Sequence, residues 1–281
     1  MKKLAILSVA ALGLVPAAAV AADLPTPSSN YGLAAEMWAG ANILGSSTGD
    51  AHDGDEDPSF GILGGRASMI FGSDSDVMTQ LSFEGQGNII AASIGDDDQV
   101  AVTSQATAHI LSNPGIGILG GGGVVSFQDD NSVNFFFGGL EYQAAFDGGK
   151  VLLQAGGLHS LVSDDGDQRT FQNAMFVQVA PEFITSDNLS LGLKAAYVTG
   201  DLEGGDRGEL INWGVKLQQQ FDNSPAAIFL AYDGSYVDGA GATFDEHSIV
   251  IGLRMALGDA ASKEVVNPAV HQWVGLSQRT D

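Results

Sequence analysis

A strict alternation with a period of two residues runs through residues 244–258 and limits the possible folds more than any other feature of this chain. The odd positions are large and apolar: Ile249, Ile251, Leu253, Met255 and Leu257. The even positions are smaller, polar or charged: Ser248, Val250, Gly252, Arg254 and Ala256. Successive side chains of a strand point to opposite faces, so this pattern predicts a strand with one apolar face. A soluble sandwich would turn that face inward, whereas a membrane barrel would turn it toward lipid.

The first 22 residues predict a signal peptide. Lys2 and Lys3 are followed by an apolar segment at residues 4–15 and by small residues at 19–22 that suit cleavage. The mature chain is therefore expected to begin near Ala22 or Asp23 and to be exported. The absence of Cys excludes disulfide bonds and thiolate metal sites. No later run of about 18 apolar residues exists, so any membrane crossing would be made by strands.

Composition excludes some functions and favours strands over helices. The chain contains 38 Gly residues and only 16% charged residues, which is typical of short strands joined by turns. Acidic residues number 34 against 11 basic ones, for a formal net charge of −23. Binding to nucleic acid requires patches of Lys and Arg, so nucleic acid is excluded as a partner.

Twelve segments have the length and alternation of strands. They are residues 31–44, 59–71, 76–88, 99–112, 115–128, 132–146, 149–163, 171–185, 189–200, 209–222, 225–238 and 244–258. Short turns at 72–76, 112–115, 147–149, 185–188 and 222–225 alternate with longer acidic connections at 46–58, 92–99, 163–170, 200–209 and 238–246. The connection at 129–131 is short as well as acidic. Short turns at one end and long loops at the other are typical of an outer-membrane barrel.

Two features resemble Gram-negative outer-membrane proteins. Gly252, Met255 and Leu257 resemble the C-terminal signal that the barrel assembly machinery reads. The architecture of residues 31–258 resembles the porin-like class. The resemblance implies that residues 23–258 form an antiparallel, up-and-down transmembrane β-barrel of about twelve strands, surrounded by outer-membrane lipid and lipopolysaccharide. It also implies passive diffusion of small hydrophilic solutes through the lumen.

Aromatic residues fall at two levels, as expected for a barrel with two membrane interfaces. Beside the short turns lie Tyr31, Phe71, Phe146, Phe183 and Phe221. Near the long loops lie Phe60, Phe127, Phe171, Tyr236 and Phe244. We therefore predict two aromatic belts that face lipid.

The inward face of the predicted strands carries a layer of charges close to the short turns. Its members are Glu36, Arg66, Glu84, His109, Glu141, Glu182, Lys194, Lys216, Asp233 and Arg254. Folding the strands places Glu36 opposite Arg66, with Arg254 on its other side. Lys194 is expected opposite Lys216, with Glu182 one diagonal step away. Charges in a lumen must be solvated or paired, so the layer is either a polar constriction or a set of ion pairs that brace a filled interior.

Catalytic and metal-binding patterns are weak, and we predict neither an enzyme nor a cofactor. His159 and Ser160 are adjacent, as are His247 and Ser248, so each pair points to opposite faces. His109 has only Thr107 at the required spacing. Weak divalent-cation candidates lack the twelve-residue loop of a strong calcium site: Asp53, Asp55, Asp57, Asp164, Asp165 and Asp167.

Residues 259–281 are expected to form a periplasmic C-terminal tail that lies against the rim, enters the lumen as a plug or stays disordered. The favoured function is a porin-like outer-membrane channel. Cation selectivity is expected because acids dominate the loops while the inward layer is nearly balanced. The alternative is a non-conducting structural or surface-interaction barrel whose loops contact lipopolysaccharide, host or phage.

Overall fold

The computed structural model describes residues 31–44, 59–72, 77–90, 100–112, 115–126, 132–162, 170–186, 188–202, 205–239, 242–258 and 264–277. Within them lie twelve strands and one helix. The strands are β1 (Tyr31–Leu44), β2 (Ser59–Phe71), β3 (Val77–Ile90), β4 (Val100–Ser112), β5 (Ile116–Ser126), β6 (Ser132–Phe146), β7 (Gly149–Val162), β8 (Phe171–Ser186), β9 (Leu189–Leu202), β10 (Arg207–Gln220), β11 (Ala226–Gly239) and β12 (Ala242–Leu257). The helix is α1 (Val270–Ser277). The strand bounds confirm the twelve predicted segments, with small shifts at their ends.

The strands form one closed antiparallel barrel in which each strand pairs with its neighbours in the chain. β1 and β12 close the barrel through a ladder that runs from Leu33 opposite Leu257 to Leu44 opposite Glu246. Closure leaves no free sheet edge, which is the arrangement that satisfies backbone hydrogen bonds in lipid. The predicted up-and-down barrel is therefore confirmed.

The apolar face of the strands points outward. In β12, Ile249, Ile251 and Leu253 are each more than half exposed, whereas Gly252 between them is buried. Met175 and Val177 are similarly exposed on β8. An apolar surface that surrounds a barrel suits lipid, since a soluble monomer rarely exposes so large an apolar area.

Among the described residues, no helix has the length and apolar character needed to cross a membrane.

Two of the predicted long loops are much shorter in the structure. β9 continues to Leu202 and β10 begins at Arg207, while β11 continues to Gly239 and β12 begins at Ala242. Gly239 lies opposite Ala242, so the antiparallel ladder continues almost to the tip of this hairpin. The prediction of long connections at 200–209 and 238–246 was wrong because these polar residues extend the strands. The loops at 46–58 and 92–99 and most of 163–170 lie outside the described residues.

The aromatic belt at the short-turn end is confirmed. Phe71, Phe146, Phe183 and Phe221 are exposed on the outer surface, and the rings of Phe146 and Phe183 lie 5.8 Å apart, centroid to centroid. Tyr31 packs on Phe71 at 5.5 Å, measured in the same way.

At the loop end the prediction holds for Tyr236, which is exposed, and fails for Phe171, which is buried inside the barrel. The register of β8 against β9 shifts between Phe171 and Asn173. A bulge of this kind reverses the alternation of side chains, so Phe171 points inward. Phe127 and the side chains of Phe60 and Phe244 lie outside the description.

The segment 264–277 folds back into the lumen. Residues 264–269 are irregular and lead into α1, and Val265, Val270, Trp273 and Val274 are almost completely buried. Of the three arrangements that the sequence left open for the tail, the structure shows a lumen plug for these residues. The periplasmic assignment of the rest of 259–281 and the signal peptide at 1–22 stay predictions, because those residues lie outside the description.

The plug packs on an apolar cluster in the lumen, on the loop-end half of β5 to β11. The cluster is formed by inward side chains that include Phe135, Phe137, Phe176 and Leu210, and by Trp273 of α1. The glycine-rich segment of β5 makes room for the phenyl rings. A Cβ atom at Gly121 would lie 2.6 Å from the tip of the Phe137 ring. The core of this barrel is therefore inside the lumen, on one side of it.

Candidate functional site

Glu36 lies at the centre of a charged cluster on the inner wall. Its Oε1 is 2.7 Å from Lys216 Nζ on β10 and 3.7 Å from Arg254 Nε on β12, and its Oε2 is 3.2 Å from Arg66 Nη2 on β2. The strand register explains the two arginine contacts, because Glu36 lies directly opposite both Arg66 and Arg254, whereas Lys216 reaches Glu36 from a strand that does not pair with β1. Glu36 is only 6% exposed, so its charge depends on these partners rather than on water.

Glu264 of the tail completes the cluster. Its Oε2 is 2.8 Å from Arg254 Nη2, and its Oε1 is 3.4 Å from Arg66 Nη2. The two carboxylates of Glu36 and Glu264 therefore share the same two guanidinium groups. Lys216 also lies over the ring of Phe229, with Nζ 4.1 Å from the centroid.

The other predicted lumen residues form separate pairs around the wall. The ion pairs are Lys194 with Asp233 at 2.7 Å and Glu182 with Lys150 at 3.1 Å, while Glu141 lies 2.8 Å from His109 and Glu84 lies 3.7 Å from His271. All the predicted residues thus lie inside the barrel, but they form one large cluster and several isolated pairs.

The prediction that Lys194 lies opposite Lys216 was wrong. Lys194 is opposite Gly214, and Lys216 is opposite Gly192. The prediction placed the centre of the β9–β10 hairpin one residue too far along the chain. A shift of one residue at the centre of a hairpin moves every cross-strand pair by two residues, so the two lysines are diagonal neighbours.

Glutamine side chains on the wall hold the backbone of the tail. Gln80 donates to the carbonyl of Val265 at 2.8 Å and accepts from its N–H at 2.7 Å. Gln105 donates to the carbonyl of Pro268 at 2.9 Å and accepts from the N–H of His271 at 3.1 Å. These contacts involve backbone atoms of the plug, so they satisfy its polar groups whatever side chains it carries.

Further wall residues bind the start of the plug. The amide of Gln154 donates to the carbonyl of Val266 at 3.1 Å, and Lys150 Nζ donates to the carbonyl of Glu264 at 3.1 Å. Together with the two glutamines above, these side chains follow the irregular segment along the wall of β3, β4 and β7. The plug therefore replaces water along a polar strip of the lumen.

His109 is part of this docking surface. Its Nδ1 is 2.8 Å from Glu141 Oε2, and its Nε2 is 3.0 Å from Asn267 Oδ1. Both ring nitrogens are therefore engaged, and Thr107 bonds instead with Gln105 at 3.0 Å. The acid that orients His109 was missed in the sequence, but the arrangement anchors the tail rather than activating a hydroxyl.

His271 of α1 is completely buried, and burial lowers its pKa below the ordinary value of 6.5. The nearby Glu84 acts in the opposite direction and Lys194 in the same direction as burial. Because desolvation dominates, the docked plug favours a neutral imidazole.

The two other histidines within the described ranges, His159 and His247, offer no Ser–His pair. His159 is exposed on the outer face and lies 2.9 Å from Asn173 Oδ1, whereas Ser160 is buried inside and bonds to the Phe171 carbonyl. His247 lies between Asp245 at 3.0 Å and the hydroxyl of Tyr232 at 2.8 Å. The side chains of His159 and Ser160 therefore point to opposite faces of the strand, as their adjacent positions predict.

The metal candidates Asp53, Asp55, Asp57, Asp164, Asp165 and Asp167 lie outside the described residues. Within the described ranges, no group of three or more acidic or histidine side chains is arranged to hold a metal ion.

A cavity of about 730 Å³ runs beside the plug. Its lining extends from Asn188 and Pro225 at the short-turn end to Asn42 and Asn88 near the loop end. Six acidic and five basic side chains line it, including the Glu36 cluster. The lining also contains Trp38, whose Nε1 donates to Gln86 at 3.3 Å. The cavity therefore follows the polar side of the lumen over most of the strand length.

Four titratable residues of this site were not predicted. Lys150 shares the inward parity of Gln154 and Glu246 that of Arg254, so alternation along β7 and β12 could have revealed both. Glu264 and His271 lie in the tail, where no strand periodicity indicates a direction. Their positions depend on tertiary contacts with the wall.

Comparison with solved structures finds outer-membrane barrels. The COG4313 outer membrane channel from Pseudomonas putida F1 aligns with a TM-score of 0.56 at 12% identity, over 84% of this chain and 98% of that chain. The KdgM porin in complex with disordered oligogalacturonate aligns with a TM-score of 0.44 at 13% identity, over 78% and 98% of the two chains. No protein-family model and no curated protein matches the sequence. Together with the closed twelve-stranded architecture, the first similarity shows that the chain has the fold of outer-membrane, porin-like β-barrels.

Proposed function

We propose that this chain is an outer-membrane channel that allows small hydrophilic solutes to diffuse passively. The observation that carries the proposal is the polar cavity of about 730 Å³ that remains beside the plug. Its lining reaches almost from one end of the strands to the other, which is what a diffusion path requires. The surrounding lipid, lipopolysaccharide and the barrel assembly machinery are the partners that such a barrel needs.

The chemistry of the wall supports hydrophilic cargo. The apolar cluster around Phe135 and Phe176 is covered by α1. The cavity beside it is lined by eleven acidic or basic side chains and several amides, together with apolar residues such as Leu152 and Phe229. Polar groups along a path replace part of the hydration shell of a solute, so ions and small polar molecules enter at low cost.

We further propose that the channel prefers cations to anions. Acidic side chains exceed basic ones by one in the cavity lining, and the sequence places further acids in the loops at 46–58 and 92–99. A negative entrance concentrates cations, and salt screens it over a Debye length of about 10 Å at 0.1 M and about 3 Å at 1 M. The reversal potential across a KCl gradient should therefore favour K⁺, and more strongly at low salt. A preference for Cl⁻ at low salt would contradict cation selectivity.

Passive diffusion can be tested with proteoliposomes in solutions of uncharged sugars of increasing size. Liposomes that contain the folded chain should swell in the smallest sugars, and the rate should fall as sugar size approaches the width of the path. Heat-denatured protein in matched liposomes is the control. Swelling at the control rate in every sugar, from protein shown to be folded, would reject the channel.

The plug favours a second candidate, a non-conducting barrel with a structural or surface role. Trp273 and Val274 are completely buried in the lumen, so the tail fills part of the space that a pore needs. In this case the loops would contact lipopolysaccharide, host or phage, and the ion pairs would brace a filled interior. A folded protein that is silent in the swelling assay but retains binding to lipopolysaccharide would support it.

A further inference from the structure

A carboxylate of the chain itself occupies a pair of guanidinium groups in the lumen. Glu264 Oε2 lies 2.8 Å from Arg254, and its Oε1 lies 3.4 Å from Arg66. Both arginines are mostly buried and belong to strands on either side of β1. The contact with Arg254 is a charge-assisted hydrogen bond and Arg66 adds a longer ion pair, and arginine is the residue best suited to recognise a carboxylate.

The rest of the plug is held by contacts of a different kind. Glutamine side chains bind its backbone, and Trp273 packs on Phe176 with centroids 5.4 Å apart. The glutamine contacts replace hydrogen bonds that the same groups would make with water after release. Glu264 therefore supplies the charged part of the docking contact, and Trp273 supplies much of the apolar part.

Docking buries two polar atoms of the plug that have no hydrogen-bond partner among the described residues. They are Asn267 Nδ2 and Trp273 Nε1. Each would gain a partner in water, and an unmade hydrogen bond of this kind favours release by about tenfold. A few strong contacts therefore hold the plug, and two buried polar atoms without partners favour its release, which suits a segment that can leave.

Release would change the charge of the lumen as well as its width. Without Glu264, the basic groups of Arg66, Arg254 and Lys216 would keep the carboxylate of Glu36 and that of Glu84, which lies opposite Arg66, so the balance of charge at this site would shift toward positive. We propose that Arg66 and Arg254 form a carboxylate-binding site that Glu264 occupies when the tail is docked, so that the tail is a displaceable plug. The released state binds small carboxylate-bearing solutes at this site and has a wider lumen with a weaker preference for cations.

A single thiol in the plug reports docking in the full-length chain, because the protein has no native Cys. Val270 is completely buried, and Val270→Cys changes its volume little. The rate of reaction with an uncharged maleimide then measures the released fraction without bias from the lumen charge. Glu264→Gln in this background should raise the labelling rate about tenfold or more. Glu209→Gln removes an exposed carboxylate from β10 and should leave the rate unchanged.

Chemical rescue tests the site itself. Glu264→Gly removes the whole side chain, whose carbon skeleton and carboxylate propionate reproduces, so propionate should lower the labelling rate and propionamide should not. Retention of the unboiled gel mobility confirms that each variant keeps its barrel. Equal labelling of Glu264→Gln and its parent would overturn the plug, and equal effects of propionate and propionamide would overturn the carboxylate site. Labelling does not require conduction, so either result is independent of the proposed channel.

Discussion

Replacement of Glu36 by Gln should destabilise the barrel, because three basic groups depend on this carboxylate. Lys216 lies 2.7 Å from Glu36, Arg66 lies 3.2 Å away and Arg254 lies 3.7 Å away. Gln has nearly the same shape as Glu, so the substitution removes the charge without opening a cavity. The loss of stability is therefore electrostatic.

The magnitude follows from the compensation that remains. A buried charge left without a partner costs about 3–5 kcal/mol. Glu264 still faces Arg66 and Arg254 in the variant, and the Lys216 side chain is 32% exposed, so water can solvate part of the change. We therefore expect the free energy of unfolding to fall by roughly 2–3 kcal/mol, below the full cost. Loss of Glu36 and Glu264 together should exceed the sum of the single losses, since they share two partners.

Urea unfolding in lipid vesicles, followed by tryptophan fluorescence, measures this difference. Glu209→Gln is the matched control, because Glu209 is exposed and the same atoms change. A loss below about 0.5 kcal/mol for Glu36→Gln, the range of ordinary surface changes, would refute the electrostatic account of the cluster.

Three further predictions concern the barrel and the plug. Unboiled protein should migrate differently from boiled protein in a detergent gel, because a closed barrel resists detergent; equal mobility would contradict closure. Gly123→Ala should destabilise by about 1–3 kcal/mol, since its Cβ would lie 1.9 Å from the Ser104 carbonyl, whereas Gly138→Ala, with 3.7 Å to its nearest neighbour, should cost little in the same urea assay. Burial lowers the pKa of His271, so the neutral form stabilises docking above about pH 6.5 and this contribution is lost as pH falls below that value. Because the thiolate is the form that reacts with maleimide, the labelling rate is divided by that of a free cysteine at the same pH. This normalised rate should be higher at pH 5 than at pH 7.5, and His271→Asn should reduce the difference.

Alternation along the strands was sufficient to predict the wall of this barrel. The large apolar residues at odd positions of β12 face outward, and Glu36, Arg66 and Arg254 meet inside as predicted. Side chains alternate between the inner and outer faces along each strand, so the sequence of one strand, about a dozen residues, is enough to assign its two faces. The prediction failed where one residue breaks the repeat, as at the bulge that turns Phe171 inward, or where a hairpin centre moves by one residue, as between Lys194 and Lys216.

The contents of the lumen were far less predictable. The tail has no period that indicates a partner, and Glu264 finds Arg66 and Arg254 only after the barrel has closed. The inward Phe135 and Phe176 were compatible with either an open lumen or a packed one, because parity indicates a face and not what covers it. Contacts between a wall and a plug depend on the three-dimensional arrangement of both.

Single-channel recording in a planar bilayer tests the central claim most directly, namely that a polar path remains beside the docked plug. The full-length protein should produce discrete ohmic steps whose size increases with KCl concentration. Boiled protein should produce none. Protein that shows the folded gel mobility and inserts into the bilayer, yet gives no steps at any salt concentration, would contradict the channel.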